Sequence, residues 1–159
     1  MGSGKTSLGK LLAEKLGYTF VDMDASIEEK YHKTVTEIFT EYGQDKFREM
    51  ERDCLHEVAD FENVIISTGG GTPCYFDNME YMNNHGLTVY LNLTIDQLTD
   101  RLSSSRPGKR PLIEGLNHEE LRQFIVNALA VREPFYAKAQ QHISGTDEEM
   151  LEKATSIHL

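Results

Sequence analysis

The first seven residues constrain this chain more than any other stretch. Met1-Gly2-Ser3-Gly4-Lys5-Thr6-Ser7 runs directly into Leu8-Gly9-Lys10-Leu11-Leu12-Ala13-Glu14-Lys15-Leu16. Gly4-Lys5-Thr6 is the second half of the phosphate-loop pattern G-x-x-x-x-G-K-[ST]. Glycines let consecutive backbone N–H groups curl around a phosphate, and the N-terminus of the following helix adds its positive dipole end at the same spot. Leu8, Leu11, Leu12 and Leu16 recur at helical spacing, so that helix is expected with all four on one face. Lys5 can reach the β- and γ-phosphates, and the Thr6 hydroxyl can ligate Mg²⁺. Gly2, Ser3, Gly4, Lys5, Thr6 and Ser7 are therefore expected to hold a nucleoside triphosphate. The first glycine of the pattern and the strand that feeds such a loop are expected ahead of Met1, as residues that precede it rather than a function that was lost.

The rest of the composition excludes several classes. A length of 159 residues predicts one domain with a real core. The net charge of −10 argues against a nucleic-acid surface, which needs a basic stripe. No apolar run reaches membrane-spanning length. Cys54 and Cys74 make no disulfide framework and fit a reducing cytoplasm as small, partly buried side chains. The six histidines are scattered without metal-ligand spacing, and none is assigned to catalysis. With no exposed heptad or long apolar patch, a monomer is expected.

Along the chain, short apolar runs alternate with helical stretches. Tyr18–Val21, Val64–Ser67, Thr88–Leu93 and Gln141–Ser144 read as strands. Thr34…Glu37, Thr94…Gln97 and Thr146…Glu149 read as capping boxes, and Asn117…Glu120 as a looser one. Strands separated by helices argue an α/β fold with a parallel sheet covered on both faces.

Five groups of residues carry chemistry. Asp22 and Asp24 end the first strand, where ligands bind in open α/β sheets, and i, i+2 carboxylates on a strand share a side. One would position Mg²⁺ and the other accept a hydroxyl proton; a helix cap would explain Asp24 but not Asp22. Gly69-Gly70-Gly71 follows the second strand, where backbone must approach a ligand closely. On the helix that follows Gly43, Phe47, Met50, Cys54, Leu55 and Val58 form the apolar stripe, with Glu51 inside it and Arg48 at its margin. Spacing leaves two readings open there: a plain i,i+3 ion pair, or the same pair aiming Arg48 at an anionic substrate. Arg132 continues the apolar face of Leu121, Phe124, Ile125, Ala128 and Leu129, so it needs an anionic partner, for which a substrate carboxylate suits its planar fork. Pro134 is expected to end or kink that helix at Glu133. Finally, Ser103–Pro111 holds Arg106, Lys109 and Arg110 with no acid, which reads as a basic lid closing over the triphosphate.

Together, in order, these motifs resemble shikimate kinase: Gly2-Ser3-Gly4-Lys5-Thr6, Asp22-Met23-Asp24, Phe47-Arg48 with Glu51, Gly69-Gly70-Gly71, Arg110-Pro111-Leu112-Ile113, and Arg132-x-Pro134-x-Tyr136. The resemblance spans nearly the whole chain. It implies a nucleoside-monophosphate-kinase-like P-loop fold, three layers around a five-stranded parallel sheet, in a single kinase domain over 1–159. It implies transfer of the ATP γ-phosphate to the 3-hydroxyl of shikimate, on the route to chorismate and the aromatic amino acids. A substrate-binding helical region is expected over about 24–60 and a mobile lid over about 103–116. By similarity, Asp24, Arg48, Gly70 and Arg132 hold shikimate, with Glu51, Gly69 and Gly71 beside them; the arginines take its carboxylate and Asp24 its hydroxyls. Thr6 and Asp22 serve Mg²⁺, Arg110 is the lid arginine on the phosphates, and Lys5, Asp24 and Arg110 form the catalytic set. The chain departs from the family in having Gln44 after Gly43, where an acid is common, and no late arginine near adenine. Two alternatives stand beside this reading: another small P-loop kinase, for gluconate or a nucleoside monophosphate, and a nucleotide-binding module without chemistry.

Overall fold

A computed structural model describes residues 2–104 and 113–157. Helix α1 (Lys5–Leu16) leaves the phosphate loop and ends on Gly17, whose left-handed backbone (φ 68°) closes the helix C-terminus. Strand β1 (Thr19–Asp22) follows, then α2 (Met23–Tyr31) and α3 (Val35–Ala59). Strand β2 (Val64–Ser67) leads into a 3₁₀ turn over Thr72–Cys74 and α4 (Asn78–His85). Then come β3 (Val89–Leu91), α5 (Ile95–Ser103), α6 (His118–Tyr136), β4 (Gln141–Ile143) and α7 (Asp147–Ser156). Every expected capping box forms: Thr34, Thr94, Asn117 and Thr146 each accept from the N3 amide while the N3 side chain accepts from the cap. The strand centres agree with the sequence, and only the ends move, since the third strand is three residues and not six.

The pairing is parallel, as expected, but the described residues do not make one five-stranded sheet. β1 pairs with β2, and β3 with β4, as two separate two-stranded units. Between β2 and β3 runs a largely apolar slot, lined by Ile65 and Ile66 on one side, Tyr90 and Leu91 on the other, and Leu8 and Leu12 of α1. The β1–β2 register, Asp22 opposite Ser67, brings both strands to their carboxyl ends together. That places the Asp22–Asp24 segment beside the glycine run that follows β2.

Two cores flank this edge. One joins Leu8 and Leu12 of α1 to Leu98, Leu102, Leu121, Ile125, Ile143 and Met150, and so backs the phosphate loop. The other gathers Met23 and Ile27 of α2 with Ile38, Phe47, Met50, Cys54, Leu55 and Val58 of α3. Burial at roughly 25 cal/mol per Å² of apolar surface makes each half rigid enough to fix the side chains at the seam.

Three local expectations fail for physical reasons. Leu11 is 49% exposed, because α1 buries the Leu8-Gly9-Leu12-Ala13 side and position 11 falls beyond its margin. Helix α6 passes through Pro134 to Tyr136, and Ala137 N–H still donates to the Glu133 carbonyl at 2.8 Å, so the proline costs a hydrogen bond without ending the helix. Asp24 lies in the first turn of α2, not on β1, so strand alternation is not what brings it beside Asp22.

Candidate active site

The phosphate loop is built on a left-handed glycine. Gly4 (φ 84°, ψ 18°) is the N-cap of α1 and offers no side chain, so the first-turn N–H groups have no side-chain cap and face outward for an anion. Thr6 and Ser7 are exposed at that turn, while Ser3 is buried. Arg101 of α5 braces the loop: one guanidinium nitrogen donates to the Ser3 carbonyl at 3.3 Å and the other to Asp147 Oδ1 at 2.6 Å. A Cβ on Gly4 would lie 3.0 Å from the Arg101 guanidinium. Sequence reasoning missed Arg101, which reads there as an ordinary surface cation in the last turn of a helix.

Asp22 has two tasks, and the helix cap that spacing allowed at Asp24 falls to Asp22 instead. Asp22 is the N-cap of α2, its Oδ1 accepting from the amides of Asp24 (3.1 Å) and Ala25 (3.3 Å). Its Oδ2 accepts from the Thr6 hydroxyl at 2.9 Å. Asp24, freed from capping, turns toward the glycine run: a Cβ on Gly69 would stand 3.2 Å from its Oδ1. Burial within the site raises the Asp24 pKa above its ordinary value. The charges of Asp22 and Glu51 push it the same way, and Lys5 opposes them. So Lys5, Asp22, Asp24 and Glu51 share one field.

Arg48 and Glu51 realise the buried pair that spacing allowed. Arg48 Nη1 donates to Glu51 Oε1 at 2.7 Å, and Glu51, 1% exposed, accepts from the Thr72 hydroxyl at 2.7 Å through Oε2. Both carboxylate oxygens are thereby satisfied, as a buried charge requires. The glycines beside this pair are tightly enclosed. A Cβ on Gly69 would come within 2.8 Å of Glu51 Oε2, and one on Gly71 within 2.7 Å of both terminal nitrogens of Arg48. The backbone here is approached closely by the Glu51 and Arg48 side chains, where the triple glycine was expected to meet a ligand. Sequence gave no hint of Tyr75, whose ring centroid lies 4.1 Å from the Arg48 guanidinium carbon.

Arg132 is half-buried on α6. Burial raises the phenol pKa of Tyr136, and the nearby Arg132 charge opposes that rise. The Tyr136 hydroxyl in turn donates to the Gly70 carbonyl, tying α6 to the glycine run. Cys74, just beyond, feels both arginines: burial raises its thiol pKa, with Arg132 and then Arg48 opposing. Arg48 and Arg132 therefore converge from α3 and α6 on the segment that follows β2. The other thiol, Cys54, is buried and pushed up to about 11, which leaves it inert.

Asp24, Arg48, Glu51, Gly69, Gly70, Gly71 and Arg132 thus gather at one edge, with Lys5, Thr6 and Asp22 adjoining. Arg106, Lys109 and Arg110 lie outside the described residues. Among the described residues no group of three or more acidic, histidine or cysteine side chains could hold a metal by itself, and no helix is long and apolar enough to cross a membrane.

Known proteins resemble this chain over nearly its whole length. Residues 1–158 match the family model described as shikimate kinase. The chain is 55% identical over 148 residues to the shikimate kinase of Bacteroides thetaiotaomicron, covering 93% of this chain and 83% of that one. A crystal structure of shikimate kinase from the same organism superposes with a TM-score of 0.90 at 51% identity, covering 98% of this chain and 89% of that one. Shikimate kinase from Acinetobacter baumannii in complex with shikimate gives a TM-score of 0.85 at 32% identity, with 99% and 86% covered.

Proposed function

The chain belongs to the shikimate kinase family, and from that premise we propose how its residues move a phosphoryl group from ATP to shikimate. The activity is ATP-dependent phosphorylation of shikimate, by a phosphotransferase of the P-loop α/β fold. What supports the assignment of roles is one observation: Asp24 and the Arg48–Glu51 pair line the glycine run, and Arg132 acts on Cys74 just beyond it.

Arg48 and Arg132 take the acceptor's carboxylate, since two guanidinium groups on rigid helices suit a planar anion. Asp24 binds the hydroxyls and aligns the 3-hydroxyl. That oxygen attacks the γ-phosphorus, its proton passes to the Asp24 carboxylate, and the bond to the β-phosphate oxygen breaks with its electron pair leaving on ADP. The pKa raised by burial makes Asp24 a better proton acceptor than an ordinary surface aspartate. Gly2 to Ser7 supply N–H groups, a hydroxyl and the Lys5 charge to the triphosphate. The adjoining oxygens of Thr6 and Asp22 are the hard donors Mg²⁺ prefers, and the ion would neutralise charge between the β- and γ-phosphates. Arg110 is assigned to the same phosphates on family resemblance, within a lid over about 103–116. We place the enzyme in the cytoplasm as a monomer that meets small molecules and, at net charge −10, no nucleic acid.

ADP release with Mg-ATP and a panel of acceptors tests this. Turnover is expected with shikimate and not with gluconate or nucleoside monophosphates. Turnover with gluconate alone would replace the reading, and ATP binding without turnover on any acceptor would leave only a nucleotide-binding module.

A further inference from the structure

We infer that Tyr75, anchored by Gln44, is a positioning residue for Arg48 and so sets affinity for the acceptor's carboxylate. The inference rests on the assignment of Arg48 to that carboxylate.

Arg48 has only one hydrogen bond among the described contacts that fixes its guanidinium, the 2.7 Å bond from Nη1 to Glu51. Its Nε is buried without a hydrogen-bond partner among the described residues. A planar group held at one corner can pivot about that bond. Two other contacts remove the freedom. The Gly71 backbone presses close enough that a Cβ there would collide with both terminal nitrogens. The Tyr75 ring covers the guanidinium at 4.1 Å, nearer than the rings of Phe47 (5.2 Å) or Phe39 (5.9 Å). At this distance the ring quadrupole attracts the cation and the flat faces resist rotation. The plane presented to a carboxylate is thus set by a residue that would not itself touch the substrate.

Tyr75 is held in turn. Its carbonyl accepts from Asn78 N–H at 3.2 Å, which fixes the backbone after the 3₁₀ turn. Its hydroxyl accepts from Gln44 Nε2 at 2.6 Å, across 31 positions of sequence. Gln44 reaches it because the backbone of α3 breaks at Gly43 (φ 81°, ψ 172°), a conformation open in practice to glycine alone. With no side-chain atom near a Cβ at Gly43, the constraint there is one of backbone and not of space. The ring carries the larger share, because the Gln44–Tyr75 bond is exposed and an exposed hydrogen bond contributes less.

The test is steady-state kinetics of Tyr75→Phe, Tyr75→Met and Gln44→Ala, each beside a thermal melt. Tyr75→Met keeps apolar bulk without a π face. It is expected to raise the KM for shikimate about ten-fold, while the KM for ATP stays within about two-fold. Tyr75→Phe and Gln44→Ala each remove the same exposed bond and keep the ring, so each should raise the shikimate KM by no more than about two- to three-fold. A Tyr75→Met enzyme with unchanged shikimate KM would overturn the inference, whatever its melting temperature. So would a Tyr75→Phe enzyme as impaired as Tyr75→Met. Failure of the unmodified enzyme to turn over shikimate would instead overturn the acceptor assignment, and this inference with it.

Discussion

The Thr6 hydroxyl and Asp22 Oδ2 meet at 2.9 Å, so the first turn of α1 and the carboxyl end of β1 share one polar contact. Asp22 spends its other oxygen capping α2. The two tasks separate by mutation. Asp22→Asn keeps an acceptor for the cap and loses the charge, so the Mg²⁺ concentration for half-maximal activity should rise about ten-fold with little change in melting temperature. Asp22→Ala should lose the cap as well, at about 1 kcal/mol of stability. A magnesium titration beside thermal melts of both variants checks this; equal magnesium dependence in Asp22→Asn and the unmodified enzyme would remove Asp22 from the metal site.

Asp24 is where activity and stability oppose each other. Its folded pKa is raised, first by burial and then by Asp22 and Glu51. A raised carboxyl binds its proton more tightly folded than unfolded, so its contribution to stability falls as pH climbs from the unfolded value through the folded one. Above both values the ionised Asp24 is a net cost. Asp24→Asn should therefore melt higher than the unmodified enzyme at neutral pH, with the difference closing as pH falls toward about 4. The same change should lower kcat by about 10²- to 10⁴-fold. Melts at several pH values with kcat at neutral pH decide it, and a variant that melts lower at neutral pH contradicts it.

Glu51 should matter for both folding and acceptor binding. It is 1% exposed and satisfies Arg48 and Thr72 together. Glu51→Ala strands a largely buried guanidinium and a buried hydroxyl, and should cost about 3–5 kcal/mol in chemical denaturation. Gly71→Ala approaches the same arginine from the other contact. Its Cβ would stand 2.7 Å from both terminal nitrogens, so it should raise the shikimate KM much more than the ATP KM. Equal KM values for Gly71→Ala and the unmodified enzyme would show that Arg48 can step aside freely.

Arg101 makes the converse case at the nucleotide end. It donates to the Ser3 carbonyl inside the phosphate loop, so Arg101→Ala should raise the ATP KM about ten-fold and leave the shikimate KM unchanged. The ion pair to Asp147, whose side chain is 71% exposed, should contribute little, and Asp147→Ala should be close to neutral. Kinetics of the two variants side by side distinguish a loop brace from a surface pair.

Much of this could be read from the chain because it is local. Capping boxes at Thr34, Thr94, Asn117 and Thr146 depend on residues three apart, and all four form. The placement of Glu51 in the buried stripe of α3 followed from helical period alone. What could not be read depends on where the chain bends or what it meets. Which aspartate caps α2 turns on where that helix begins, and it begins at Met23, directly after β1. Pro134 stays helical because its missing donor is a single lost bond within a 19-residue helix. Tyr75 and Arg101 earn their places through contacts 27 and 98 positions away, to Arg48 and Ser3, which no periodicity encodes.

The central claim is that Arg132, with Arg48, holds the acceptor by its carboxylate. Steady-state kinetics with shikimate and with its methyl ester, in the unmodified enzyme and in Arg132→Ala, test it most directly. The unmodified enzyme should prefer the free acid by at least about a hundred-fold in kcat/KM, since a buried guanidinium without its anion is costly. In Arg132→Ala that preference should fall to about ten-fold or less, with the KM for ATP nearly unchanged. An undiminished preference in Arg132→Ala, or equal losses toward acceptor and ATP, would contradict the account and make Arg132 a structural partner of Tyr136 alone.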